Sequence, residues 1–365
     1  MMVGVSQPIG VGIVGLSANG GWAALAHVPA LRALSQQYEI RALTASTNEA
    51  AALAAAKFGV PFHTADPAEM VKRPDVDLVV VTVKVPFHRE LVELALAAGK
   101  AVYCEWPLGN GLREAEMLTD LADKRQLRAF IGLQARAVPA IRYVKELVET
   151  GYVGKVSSTS MLASNGSPWN GLSSTRRVYL ADVRNGATML TIPFGHSIDA
   201  LTWTLGKFRS VAATLTVHRP QVFVQDQGIS IHTEAADQIM VSGLLDDGVA
   251  ASLHFRGGLS RAGSFRWEIN GDEGDIVVSG GDGHLQYGMV SVAGGRGEQK
   301  ELVSMPVPDK FRSVPLDPMH HSYAVAHAYA HLAHDLCNGT RLVPTFAEGL
   351  ELHRLLDQIA PQSAT

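Results

Sequence analysis

The chain has little that would tie it to a membrane, an oxidising compartment or a nucleic acid. It has two cysteines in 365 residues, Cys104 and Cys337, so a disulfide framework is not indicated and a reducing compartment is expected. It has no excess of positive charge: 31 Lys and Arg stand against 35 Asp and Glu, for a net charge of -4, which offers no general attraction to phosphate backbones or anionic lipid. No direct nucleic-acid partner follows. The first apolar run, IGVGIVGL, has no basic stretch before it and is soon broken by Ser17, Asn19 and two glycines. Neither a signal peptide nor a membrane partner is expected from it, and a cytoplasmic location is. G-x-S-x-G, H-E-x-x-H and Walker motifs are also missing, which takes away support for hydrolase and kinase classes.

What is present is a compact globular composition, 47% hydrophobic and 18% charged, long enough for two domains at roughly 150 residues each. The first third alternates short apolar runs with longer amphipathic ones, the pattern of a parallel sheet covered by helices. Strands are expected at VGIVGL, YEIRALTA, DLVVVTV, AVYCEW and LRAFIGLQ. Between them EAAALAAAKFGV, FHRELVELALAAGK and LREAEMLTDLADKRQ carry helical spacing, and two end in Gly where a C-cap falls. An α/β fold with an N-terminal doubly wound Rossmann domain over 1–133 is predicted. After the amphipathic stretch AVPAIRYVKELVETGYVG come alternating β segments such as VAATLTVH, DQIMVSGLLDDGVAASLHF and FRWEINGDEGDIVVSG. These predict a mainly antiparallel sheet in an α+β domain over 134–365. The helices SYAVAHAYAHLAHDLCNG and TFAEGLELHRLLDQIA are expected to pack back across the domains.

A dinucleotide site needs a tight turn after the first strand, close backbone approach to the pyrophosphate, and a helix N-terminus aimed at that charge. Gly12, Gly15, Gly20 and Gly21 can supply this, with Ala18 and Trp22 in the same turn. Ser17 stands where the middle glycine of G-x-G-x-x-G is expected; its small side chain is tolerable and its hydroxyl can donate to a phosphate. The alternative is a sharp strand-to-helix turn without a ligand. The second strand ends in LTASTNEA, with Ser46 and Thr47 where an acid would bind the ribose hydroxyl of NAD. Without that acid a 2′-phosphate meets no repulsion, so of NADP and NAD the former is preferred.

Four stretches together resemble the glucose-fructose oxidoreductase and inositol dehydrogenase family (Gfo/Idh/MocA): GLSANGGWAALAHVPAL, VTVKVPFHRELVELALAAGKAVYCEWPLG, LQARAVPAIRYVKELVETGYVGKV and NGATMLTIPFGHSIDAL. Within that family the glycine turn and E-W-P look most like the branch containing the fungal galactose-regulon repressor, which binds nicotinamide dinucleotide without being known for turnover. The resemblance implies a large open sheet in the second domain that makes a homo-oligomer interface, in a dimer or tetramer. It also implies an E-K-P motif whose Lys sits beside the nicotinamide. Here that motif reads Glu105, Trp106, Pro107, and the Asp usually found four residues before the motif histidine falls on Ile192, while His196 and Asp199 match.

Hydride transfer from a sugar carbon needs a base for the hydroxyl proton, worth about 10²–10⁴-fold. His196 is the first candidate and Tyr179 the second, with Lys84 after the fourth strand as a third; His196 can equally be a core histidine at a helix start, and Lys84 a solvated charge. Trp106 can stack on the nicotinamide or on a sugar as a wall. Val83 and His88 are expected on the cofactor side, His88 near the adenosine or pyrophosphate or else capping a helix. Gln134 is expected at the cofactor, and Arg136 and Asp182 at the substrate, with Gln134 and Arg136 also able to tie the domains together. Trp169, in NGSPWNG, can face a sugar or simply cover the sheet. His327, His331 and His334 lie at helical spacing, but one helix cannot wrap three ligands around a tetrahedral metal, so no metal is expected and a polar helix face is.

The function expected is NAD(P)-dependent oxidation or reduction of a sugar-like small molecule, with His196 handling the proton. The alternative is a catalytically silent dinucleotide-binding regulator that grips a protein partner.

Overall fold

The structure is a computed structural model that describes residues 7–287 and 290–360. The chain divides into two compact units, one running through Ala137 and taking in Ser313–His353, the other holding Val138–Arg312 and the residues from Arg354.

The first unit is built on a six-stranded parallel sheet. Its strands are β1 (Ile9–Val14), β2 (Tyr38–Thr44), β3 (Phe62–Thr64), β4 (Leu78–Val81), β5 (Ala101–Glu105) and β6 (Ala129–Gly132). They lie in the order β3-β2-β1-β4-β5-β6, with Val14 beside Thr44 on one side and Val81 on the other. The order reverses at β1 and β4, and the crevice beyond the carboxyl ends of strands at such a point is where this architecture binds ligands. All four residues of β4, LVVV, are buried, as a central strand covered on both faces requires. The helix Asn48–Phe58 starts where the Thr47 hydroxyl accepts the Ala50 N–H and stops at left-handed Gly59. The short edge strand β3 had no counterpart among the five strands expected; three residues carry too little periodicity to be seen.

The helix Ser322–Asn338 also belongs to this unit, although the division expected from sequence put everything after residue 133 in the second domain. Its Val325, Ala326, Tyr329 and Leu332 join one core with Val11, Ile13, Leu31 and Tyr103, and that burial decides its allegiance. The same helix does not present its histidines as a polar face. His327 is fully buried and its Nδ1 lies 2.9 Å from the Tyr323 carbonyl, while His331 is half-buried and His334 exposed. Among the described residues no group of three or more His, Cys, Asp or Glu is placed to hold a metal ion, and no helix is long and apolar enough to cross a membrane.

The second unit carries an eight-stranded sheet. In spatial order its strands are Val303–Ser304, Val290–Arg296, Gly274–Gly280, Phe265–Gly271, Val156–Asn165, Ala250–Gly257, Gln238–Leu245 and Phe208–Thr216. Every neighbouring pair is antiparallel except Val156–Asn165 with Ala250–Gly257. The D-D-G turn joins two of them with Asp247 in the left-handed region at φ 61°. The helices Pro139–Glu149 and Gly195–Leu205 pack together in this unit. Trp267 is fully buried with its indole N–H on Thr159, and the Phe194 and Phe255 rings meet edge to face at 5.1 Å.

Candidate functional site

At the carboxyl end of β1 the backbone turns through three glycines that only glycine accommodates: Gly15, Gly20 and Gly21 have φ of 93°, 99° and 111°. A Cβ on Gly15 would also sit 2.6 Å from Val83 Cγ1, so the loops after β1 and β4 are in contact. The Ser17 hydroxyl accepts the Asn19 N–H at 3.2 Å, folding it onto its own turn. The Ala18 carbonyl accepts from Lys57 Nζ at 2.7 Å. One turn of π-helix, Ala23–His27, then leads into the helix Val28–Ala33. These residues fit a dinucleotide pyrophosphate: a bare backbone cradle, followed by helical N–H groups, with a lysine at its rim.

A second set of side chains locks this turn to the end of β5. The Glu105 carboxylate accepts the Trp22 indole N–H at 2.9 Å and the Gln134 amide at 2.5 Å, and His27 Nε2 lies 3.1 Å from it. His27 Nδ1 in turn lies 2.7 Å from the Tyr329 hydroxyl, and the Tyr38 hydroxyl donates to the Tyr329 carbonyl. Gln134 also donates to the Tyr103 hydroxyl. Gly132 is required beneath, since a Cβ there would lie 2.7 Å from Glu105 Oε1. Glu105 and Gln134 were expected at the cofactor; the structure makes them the fastening of its turn. His27, Tyr38 and Tyr329 were not singled out, and the Gfo-like turn itself, which runs on to His27, was the only available signal.

His88 is buried rather than turned outward. Its Nδ1 faces the Pro107 carbonyl at 2.8 Å and its Nε2 the Val83 carbonyl at 3.0 Å, so its ring ties together the loops after β4 and β5. Burial lowers its pKa. Trp106 is 5% exposed and its ring packs 4.6 Å from that of His353, whose pKa burial drives down to about 3. Ser46 and Thr47 are exposed, the latter committed to capping its helix; Lys84 is exposed, and Arg136 is half-buried on the short turn Gln134–Ala137.

In the second unit, His196 lies near the start of the helix Gly195–Leu205, 1% exposed, with no protein partner on Nδ1. Burial lowers its pKa to about 3, so it is neutral at ordinary pH. Its ring is 5.2 Å from that of His284, which stacks on Tyr287 at 4.1 Å. His284 was missed: a single histidine in a loop carries no periodic signal. Asp199 is buried on the same helix as His196. Tyr179 is half-buried, and burial raises its hydroxyl pKa. Asp182 is engaged by Arg184 through paired hydrogen bonds of 2.9 and 2.8 Å, which lower its pKa. Trp169 is 9% exposed and tucked beside Gly257, where a Cβ would collide with the Trp169 carbonyl.

The sequence matches the family described as "Oxidoreductase family, NAD-binding Rossmann fold" over residues 9–133, and "Gal80p, C-terminal domain" over 139–280. The dehydrogenase aclE of Aspergillus oryzae is 31% identical over 289 residues, covering 76% of this chain and 78% of that protein. The chain belongs to the NAD-binding oxidoreductase family. Members similar to it include the galactose/lactose metabolism regulatory protein GAL80 of Kluyveromyces lactis, 30% identical over 302 residues, 77% of this chain and 66% of that protein. The fold is shared with a levoglucosan dehydrogenase solved in complex with NADH and levoglucosan, at a TM-score of 0.82 and 21% identity, covering 97% and 96% of the two chains. Dehydrogenases and a regulator thus stand among this chain's relatives.

Proposed function

We propose that the protein is an NAD(P)-dependent oxidoreductase that moves a hydride between nicotinamide and a sugar or related polyhydroxylated substrate. The observation that carries this reading is His196, a neutral buried imidazole whose Nδ1 has no protein partner, in a chain whose glycine turn suits a dinucleotide. Dehydrogenases among the relatives support it. A bound dinucleotide supplies the two-electron acceptor or donor. The turn from Gly15 to Trp22 holds its phosphates, and the Glu105 fastening keeps that turn in place. His196 takes the hydroxyl proton as the alcohol becomes a carbonyl and returns it in the reverse direction, work that a neutral imidazole can do. Lys84 is exposed, and Tyr179, with its raised pKa, keeps its proton. NADP is preferred over NAD because Ser46 and Thr47, and no acid, follow β2.

The test is a single-turnover assay with stoichiometric protein, NADP⁺ or NAD⁺, and a panel of sugars and polyols, followed by reduced-nicotinamide absorbance. Reduction with any one substrate upholds the reading. Saturable dinucleotide binding with no reduction across the panel favours a silent regulator that binds a protein partner, a reading supported by Trp106, which packs on His353 where the E-K-P lysine would stand, and by the likeness to GAL80. Self-association through the open sheet face is part of the proposal. On that face Leu162 and Met240, 39% and 40% exposed, flank His254 in register, and light scattering distinguishes monomer, dimer and tetramer.

A further inference from the structure

Folded proteins satisfy roughly nine in ten of their buried polar groups, and each buried group left unpaired costs about 1–3 kcal/mol. Orphaned groups gathered in one place therefore mark a site for something else to bind. Around His196 they gather: His196 Nδ1, both ring nitrogens of His284 and the Asn165 amide nitrogen are all buried without a partner. The backbone brings them together. Gly283 presses against the end of the strand Val156–Asn165 so closely that a Cβ would lie 2.1 Å from the Ser164 carbonyl and 3.0 Å from Asn165 Oδ1. His284, the next residue, is aimed by its stack on Tyr287 and lies 5.2 Å from the His196 ring.

Burial and mutual repulsion lower the pKa of His284, with the exposed cation Arg177 adding to the effect. Both imidazoles are therefore neutral; His284 has one N–H donor and one acceptor nitrogen unpaired, and His196 has its Nδ1. A hydroxyl group both donates and accepts, so two adjacent hydroxyls match two adjacent neutral imidazoles, and the Asn165 amide supplies a further donor. A carboxylate would lose its hydration against rings that carry no charge.

We propose that His284, with Asn165 beside it, forms a hydroxyl-binding site next to His196 that takes a neutral vicinal diol, one hydroxyl on each imidazole. This rests on reading the second unit as the one that bears the substrate. It makes His284 a specificity residue, selecting polyols over simple alcohols and over sugar acids.

The test uses the full-length protein with no dinucleotide, its histidines isotopically labelled and followed by NMR. The probes are myo-inositol, glucose, cyclohexanol and gluconate. The neutral polyols are expected to shift the His196 and His284 ring signals together and saturably, with cyclohexanol and gluconate at least about tenfold weaker. His284→Phe keeps the stack on Tyr287 and removes both nitrogens; it should weaken polyol binding about tenfold or more without lowering the melting temperature, and leave NAD⁺ affinity unchanged. His284→Gln, which restores a donor and an acceptor, should recover part of the binding and guards against a folding defect. Unshifted ring signals, wild-type binding by His284→Phe, or tighter binding of gluconate would each overturn the proposal. The two readings fail separately: diol binding through His284 without any dinucleotide reduction sinks the oxidoreductase and leaves this site, whereas turnover with an unchanged KM in His284→Phe removes the site and leaves the oxidoreductase.

Discussion

Replacing Glu105 with Ala removes the acceptor shared by the Trp22 and Gln134 donors and the carboxylate that lies 3.1 Å from His27 Nε2. Gln134 and His27 are 1% and 0% exposed; Gln134 keeps only its longer bond to Tyr103 and His27 loses the carboxylate beside its Nε2, where water does not readily replace it, at about 1–3 kcal/mol per group. Trp22 is half-buried and can turn its indole N–H to solvent, so its share is smaller. The sum is about 4 kcal/mol. For a unit of this size that corresponds to a fall in melting temperature of about 8–16 °C. Calorimetry of Glu105→Ala against wild type reads it directly, and an NAD⁺ titration at low temperature should give a higher Kd because Trp22 no longer anchors the turn. A fall of less than about 2 °C would mean that the donors find other partners, and the fastening role assigned to Glu105 would be wrong.

His196→Ala should slow single-turnover reduction by about 10²–10⁴-fold with the NAD⁺ Kd nearly unchanged; an unaltered rate would remove His196 as the proton acceptor. Gly15→Ala places a Cβ 2.6 Å from Val83 Cγ1 at a φ of 93°, so dinucleotide affinity should drop about tenfold or more by fluorescence titration, and unchanged affinity would take the cofactor off this turn. Burial holds His196 at about 3 in the folded state against an ordinary 6.5. Between those values the unfolded chain binds a proton that the folded unit refuses. The stability is therefore present in full above about pH 6.5 and declines below it by about 1.4 kcal/mol per pH unit. The urea midpoint of the second unit should fall between pH 7 and pH 5, less so in His196→Asn, and an equal fall in both proteins would assign the effect to other groups such as His284.

Much of the fold is legible because its signals are local. The all-apolar β4, the left-handed Gly59 and the glycines of the first turn each act within a few residues of themselves. The alternating strands of the second unit are equally plain. The site is less legible because it is made by distance. His27 meets Tyr329 across 302 positions, and nothing near either residue announces the other. Trp106 stands in a motif that suggests a wall against a ligand, yet its ring packs on His353 from the far end of the chain. His88 follows the fourth strand as a cofactor residue would, yet both of its nitrogens face carbonyls of neighbouring loops. A motif fixes where the backbone goes; which way a side chain turns depends on partners that the motif does not contain.

The helix Ser322–Asn338 gives the first unit a particular order of assembly. As the chain leaves the ribosome, β1 to β6 emerge early, but the hydroxyl that meets His27 and the carbonyl that receives Tyr38 both belong to Tyr329. The intervening Val138–Arg312 is continuous and can close its sheet first. During synthesis the nucleotide-binding half therefore waits, its core open where Val325, Ala326 and Leu332 will insert. A nascent chain that stops short of that helix carries the whole glycine turn and lacks the residue that anchors its fastening. Dinucleotide capture is thereby tied to translation of that helix.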